Sequence, residues 1–430
     1  MLAGALRQPR TEHAWAMWWN PRVAAAEPEA HHHPPSGSVE EAEEERVTTL
    51  ELFFDLVFVL SFTQVTAMLA DDPTWEGLGE GLLILAAVWW AWAGYGWLTN
   101  AIDPNENLNR LAMFAAMAAM LIVSLSIPEA FGSQGLLFGC AYFFVRVMHL
   151  VLYVRNTRLE EDEHNLEAIL KITPGLLLGS ALLILAGALE GEARAAVWII
   201  ALLIDYATPY VAGTSGFHLH PGHFAERHGL IVIIALGESI VAIGAGAGFE
   251  LETGEVIAAV LAIVAVVALW WAYFDIVALV AERRLTEAPW GEQAPLARDS
   301  YSYLHYPMIA GIVLLAVGLK KTELAVDEPL KTIPAIALCG GVALYLLGHI
   351  AFRLRNVGTL NKHRAVATVV VLALIPLAIE VDALVALAAV TGVLVVLIAY
   401  EAIRFREARA RVRANPHMSL AEMRGRSLHK

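Results

Sequence analysis

Apolar stretches of roughly 20 residues recur twelve times along this chain, at approximately 48–70, 78–99, 108–128, 134–155, 168–189, 194–213, 224–247, 254–281, 301–319, 331–353, 363–380 and 383–404. A helix of about 20 residues spans about 30 Å of hydrocarbon. The pattern therefore predicts an all-α polytopic membrane helix bundle of about twelve spans. The shortest gap is the polar turn at Glu380 and Asp382, and the ninth span opens on Tyr301, Tyr303 and His305. Composition agrees: 58% of the residues are hydrophobic and 17% charged, too apolar for a soluble globular chain of this size. Cys140 and Cys339 both lie inside apolar blocks, which does not indicate a disulfide framework. The net charge of −14 gives no reason to expect nucleic acid as a partner.

Four segments follow. Residues 1–46 are rich in Ala, Pro, Glu and His and read as a disordered cytoplasmic tail. Their one apolar patch, Ala14 to Trp19, is too short for a signal peptide, and His31, His32 and His33 are expected to bind nothing. Residues 47–213 and 214–404 each hold six spans, and 405–430 form a basic tail. Loops that alternate with the spans fix the orientation. With the N-terminus inside, twelve Lys and Arg residues from Arg110 to Arg364 fall in inner loops, against Arg194, Lys320, Lys321 and Lys331 outside. Both termini are thus expected in the cytoplasm. The outer loops are acidic, either to concentrate cations or because Lys and Arg are kept inside.

The halves resemble each other. "VWWAWAGY" (88–95) matches "LWWAYFDI" (269–276), and "HLVLYVRN" (149–156) matches "HIAFRLRN" (349–356). Six is an even number of spans, so two such repeats lie parallel, related by an axis along the membrane normal, as in parallel-repeat transporters.

"TLELFFDLVFVLSFTQV" (49–65) and "ERHGLIVIIALGESI" (226–240) together resemble the bacterial low temperature requirement protein A family of multi-pass membrane proteins. The resemblance runs over roughly 46–404. It implies a bacterial plasma-membrane protein and marks Glu51, Asp55, Glu226, Arg227, Gly237 and Glu238 as signature positions. It implies no particular molecular activity.

Charged residues within spans cost on the order of 3 kcal/mol each unless paired or wetted. Arg227 and Glu238 are 11 residues apart, three helical turns, so they share a face about 16 Å apart along the axis. Glu51 and Asp55, four apart, share a face of the first span at the depth of Glu226 and Arg227. Arg146, His149, Asp205, Asp275, His305 and His349 lie in the inner halves of their spans. Together these eleven residues read as a polar layer on the cytoplasmic side, the composition of a proton or ion pathway, with Glu238 nearest the midplane. Asp55 and Arg227 are expected in one charged cluster. Buried ion pairs also fix helix packing by themselves, so each position has a structural reading beside the functional one.

"HLHPGHFAERH" (218–228) puts His218, His220 and His223 before the seventh span. Their spacing matches no standard zinc pattern, and a loop leading into the helix, with Pro221 and Gly222 at its start, is the plainer reading. No cofactor is expected. "GESIV" lies mid-helix, where a nucleophile elbow cannot form, so an enzyme is not expected. The small residues Gly94, Gly96, Gly244 and Gly248 are expected to allow close helix approach, and the Trp89–Trp90 and Trp270–Trp271 pairs to pack the core or wall a cavity. The functional expectation is a secondary transporter or ion-conducting protein. Its partners are the lipid bilayer and an unidentified small solute or ion. A membrane metal protein or enzyme at the His cluster, and a non-catalytic envelope protein, stand as alternatives.

Overall fold

The computed structural model describes residues 46–214, 216–246 and 252–414. Gly248, the tail to residue 45 with its three histidines, and the tail beyond 414 lie outside these. Among the described residues the regular elements are helical, apart from one isolated antiparallel bridge between Pro329 and Asp382. The first half contains α1 (Thr49–Asp71), α2 (Trp75–Ala101), α3 (Asn107–Ser126), α4 (Gly135–Leu159), α5 (Glu163–Gly187) and α6 (Gly191–Val211). The second begins with α7 (Pro221–Gly246), α8 (Thr253–Phe274), α9 (Val277–Thr286) and α10 (Trp290–Ala297). A π-helical turn, Arg298–Tyr303, leads into α11 (His305–Glu323), followed by α12 (Thr332–Val357), α13 (Lys362–Ala373), α14 (Ile375–Ala378), α15 (Ala383–Arg404) and α16 (Arg406–Ala414).

Among the described residues, eleven helical segments are long and apolar enough to cross a membrane, α8 with α9 and α10 with α11 each counting as one. Over 363–380, where the sequence predicts a further span, the helix breaks at Leu374 into α13 and α14. Pro376 follows at once, and proline removes a helix hydrogen bond and crowds the preceding turn.

Local sequence explains the termini that matter. Thr48 caps α1: its hydroxyl accepts from the Glu51 amide while the Glu51 carboxylate accepts from the Thr48 amide, a reciprocal capping box. This fixes Glu51 in the first turn of α1. Pro221 opens α7, a position where its missing N–H costs nothing.

Around α1 gather α2, α3, α7 and α11. In the first half α3 packs on α1 and α4, α4 on α5, α5 on α6, and α2 on α6. In the second, α11 packs on α7 and α12, α12 on α13, α13 on α15, and α8 on α15. Helices α4 and α5 approach closely, where a Cβ on Gly187 would lie 2.3 Å from the Gly135 carbonyl oxygen, and so do α11 and α12, where a Cβ on Gly341 would lie 2.6 Å from the Leu315 amide nitrogen. Small residues of this kind let membrane helices touch backbone to backbone. Of the glycines singled out above, Gly94 is crowded, whereas Gly96 and Gly244 meet nothing within 4 Å; they point away from the helix contacts. Leu111, Val369 and Val396 are among many large apolar side chains left at the surface, as a lipid-facing perimeter requires. The two Trp pairs differ: Trp89 and Trp90 are buried, while Trp270 and Trp271 lie on that perimeter.

Candidate functional site

The centre of the charged layer is Arg227, which has no exposed surface. Its guanidinium reaches across from α7 to α1. One terminal nitrogen donates to Glu51 Oε1 at 3.1 Å and to Thr99 Oγ1 at 2.6 Å, and the other donates to Asp55 Oδ1 at 2.6 Å. Trp92 Nε1 donates to the same Asp55 oxygen at 2.9 Å. An arginine fork suits this geometry, since a lysine could not serve two carboxylates and a hydroxyl from one rigid plane. Asp55 Oδ2 and Arg227 Nε keep no hydrogen-bond partner among the described residues.

Glu51 extends the cluster toward the N-terminal end of α1. Besides Arg227 and its own capping contacts, it meets His223 Nε2 at 3.1 Å. Asn100 Nδ2 lies 3.1 Å from the other ring nitrogen of His223. An amide N–H can only donate, so the proton sits on Nε2 and points at Glu51. Asn100 also accepts from the His220 amide at 2.8 Å and donates to the His220 carbonyl at 3.0 Å. One α2 side chain thus fixes the loop that leads into α7.

Glu238 lies deeper on α7, is 2% exposed, and is met by the Thr63 hydroxyl of α1 at 2.5 Å. It faces α1 and not lipid. Glu226 is instead exposed and accepts from the Val47 amide at 3.2 Å, so it stands at the mouth and not within the buried cluster.

A string of rings continues from Arg227 into the second half. His228 packs 4.9 Å from Trp92 and 5.2 Å from His305, centroid to centroid. His305 donates from Nδ1 to the Ser300 carbonyl at 3.0 Å and faces the Tyr273 hydroxyl with Nε2 at 2.8 Å. Tyr273 in turn touches His349 at 5.8 Å. His349 Nδ1 accepts from Arg364 at 2.9 Å, and Arg364 holds Glu401 through two hydrogen bonds of 3.0 Å each. Asn361 adds a third contact to Glu401 at 3.1 Å.

Arg146, His149 and Asp205 form a separate group in the first half. Arg146 donates to the Trp90 carbonyl at 3.3 Å and stands 3.8 Å from Asp205. His149 lies beside them, close to Gly94, where a Cβ would come within 2.7 Å of Arg146. Asp275 joins none of these. It sits at the junction of α8 and α9 and pairs with Arg409 and Arg413 of α16. The layer is therefore three assemblies, not one. Charge type and depth, read from sequence, singled out Arg227, Glu51 and Asp55. They did not single out Thr99, Trp92, Asn100, Arg364 or Glu401, which are uncharged partners or lie at span ends.

The loop histidines face different ways. His218 pairs with Asp162 at 3.0 Å, the His220 backbone binds Asn100, and His223 turns to Glu51. Among the described residues no group of three or more His, Cys, Asp or Glu side chains is arranged to hold a metal ion.

Two cavities open beside the cluster. One of 420 Å³ is lined by Glu51, Thr99, Asp103, Glu160, Asp162 and His218, among others. The other, of 890 Å³, lies between α7 and the α8–α9 segment. Arg46, His220 and His223 line both. Burial, and then the charge of neighbouring Asp162, push the Glu160 carboxyl in the smaller vestibule above the usual carboxylate range.

Comparison with known proteins gives a single direction. A model of the bacterial low temperature requirement A proteins matches residues 46–399. An uncharacterized protein of Rhizobium meliloti (strain 1021) is 32% identical over 322 residues, covering 72% of this chain and 77% of its own. No solved structure matches.

Proposed function

The chain belongs to the bacterial low temperature requirement A family, and on that premise we propose that this membrane protein is a proton- or cation-coupled secondary transporter and not an enzyme. The observation that carries the reading is Arg227. A guanidinium with no exposure, shared between two carboxylates at the inner end of α1 and α7, sits below a buried carboxylate, Glu238, on the same helix pair. Ionisable residues inside a membrane bundle are costly and rare, and where they occur they mark ion pathways and proton relays. The acidic cavities on the same side supply an approach for cations.

We further propose twelve spans in two parallel repeats, with both termini on the cytoplasmic side of the bacterial plasma membrane. The packing order supports this: α1–α3–α4–α5–α6 has its counterpart in α7–α11–α12–α13–α15. So do the matched helix ends. Asn156 donates to Asn109 and to the Leu152 carbonyl, and Asn356 donates to Ser300 and to the Phe352 carbonyl. Arg155 pairs with Glu106 as Arg355 pairs with Asp299. On this reading α13 with α14 is the eleventh span, interrupted at Leu374. Discontinuous helices of this kind line ion sites in repeat transporters.

In the proposed cycle Asp55 stays paired with Arg227, and Glu238 takes up and releases the coupling proton as α1 and α7 shift against each other. Proteoliposomes with an imposed pH gradient and a pH-sensitive dye provide the test. Wild type is expected to dissipate the gradient, and Glu238→Gln to express and fold normally but lose that flux. Full flux in Glu238→Gln overturns the mechanism. Reporter fusions after Arg110 and after Glu192 should read opposite sides; the same reading from both overturns the topology.

A further inference from the structure

We propose that the 890 Å³ cavity between α7 and the α8–α9 segment is a binding site for an amphiphilic organic cation, an ammonium group carried on an apolar or aromatic body. Its volume is that of a site for a drug-sized molecule. Ile233, Tyr273, Phe274 and Tyr301 supply an apolar, largely aromatic wall. Aromatic faces attract ammonium groups by their quadrupole, more strongly where water is excluded.

The charges favour a cation. Glu226 on α7 and Glu282 on α9 line the cavity, and Arg46 is the one permanent cation among its described lining residues. His220 and His223 separate it from the neighbouring vestibule, which adds Asp103 and Glu160, besides Glu51 and Asp162 that already meet Arg227 and His218. Carboxylates crowded in this way lower the potential over both cavities and raise the local concentration of cations. Glycine makes the room: on the α7 face, a Cβ at Gly229 would already stand 3.4 Å from the Phe274 ring.

Position gives the site its meaning. His223, on one wall, touches Glu51 of the Arg227 cluster. Tyr273, on the other, bonds His305 at 2.8 Å, and Tyr301 stacks on the same imidazole at 5.2 Å. A molecule in this cavity therefore lies one side chain away from both Glu51 and His305. This deepens the transport reading by naming a substrate class, but binding is measured without any gradient, so the two stand or fall separately.

The test is equilibrium binding to the full-length purified protein. Phenethylammonium is the probe and 3-phenylpropionate its anionic counterpart of similar shape. Phenethylammonium is expected to bind at least tenfold more tightly. Gly229→Phe fills the cavity and is expected to abolish binding. Glu226→Gln, an exposed change that leaves the fold alone, is expected to weaken cation binding about fivefold. The same head group could arrive on a lipid. Phosphatidylethanolamine retained through purification and displaced by phenethylammonium assigns the site to a lipid amine; binding by lipid-stripped protein, with no retained lipid, assigns it to a free amine. Equal binding of 3-phenylpropionate, no binding of phenethylammonium, or wild-type affinity in both variants overturns the proposal.

Discussion

The two halves of the molecule each bury an arginine against a carboxylate beside a histidine, and they do so to opposite effect. In the second half Arg364 is fully engaged, with Glu401 held by both of its oxygens, Asn361 in support, the Ala272 carbonyl at 3.1 Å and His349 at 2.9 Å. In the first half Arg146 and Asp205 stand 3.8 Å apart. Arg146 Nε, Asp205 Oδ1 and both ring nitrogens of His149 have no hydrogen-bond partner among the described residues. Buried polar atoms are rarely left in this condition. A cavity of 60 Å³ lies against His149, and one of 20 Å³ against His349. The comparison separates a network whose arginine and carboxylate are satisfied, with only His349 Nε2 left over among its polar atoms, and which fixes four helices to one another, from an open one with more hydrogen-bonding capacity to spare.

Removing Arg364 is the severest test of this difference. Arg364→Ala strands Glu401 in a site only 6% exposed and is expected to cost about 3–5 kcal/mol, read as the loss of midpoint in denaturant or heat by detergent-solubilised protein. Arg146→Ala is expected to cost less, about 1–3 kcal/mol, because the pair it breaks is already loose. Equal losses from the two variants would erase the distinction between the halves. Asp205→Asn sharpens it further. It keeps the volume and breaks no hydrogen bond, though it leaves Arg146 without its counter-charge, so its midpoint should fall by less than that of Glu401→Gln, which also loses hydrogen bonds to Arg364. The smallest effect is expected for Arg155→Ala and Arg355→Ala. Both pairs are partly exposed, a setting in which such bridges contribute little, and no measurable change in melting is expected from either. A large loss from only one of them would place the asymmetry at the surface and not in the buried pairs.

The sequence made the apolar spans and the Glu51–Asp55–Arg227 cluster legible for simple reasons. Span length follows from hydrocarbon thickness, and charges at one depth on helices that begin on the same side must find each other or water. Glu401 was within reach of the same logic. It lies in the last span, 196 positions after Asp205, inside the offset of the matched motifs. Arg364 was not, because the arginine has changed helices: Arg146 shares α4 with His149, whereas Arg364 reaches His349 from α13. No alignment by position finds a partner that has moved to another element. Asp275 shows the converse. Its sequence depth suggests the buried layer, but α8 ends at Phe274, which leaves its carboxylate free to turn to α16. The interruption at Leu374 follows from Pro376, but a hydropathy profile does not register a break in a uniformly apolar run.

The attachment of α16 to Asp275 also says something about how the protein is made. Arg413 is synthesised 138 positions after Asp275, an interval on the order of 10 s at typical rates of translation. For that time the joint between α8 and α9 lacks the two guanidinium groups that hold it in the finished protein, and Arg283 of α9 lacks the Val412 carbonyl it later binds. Because α9 carries Ala278, Leu279 and Glu282 of the large cavity, the helix that forms one wall of that cavity gains these anchors only after α16 has been synthesised.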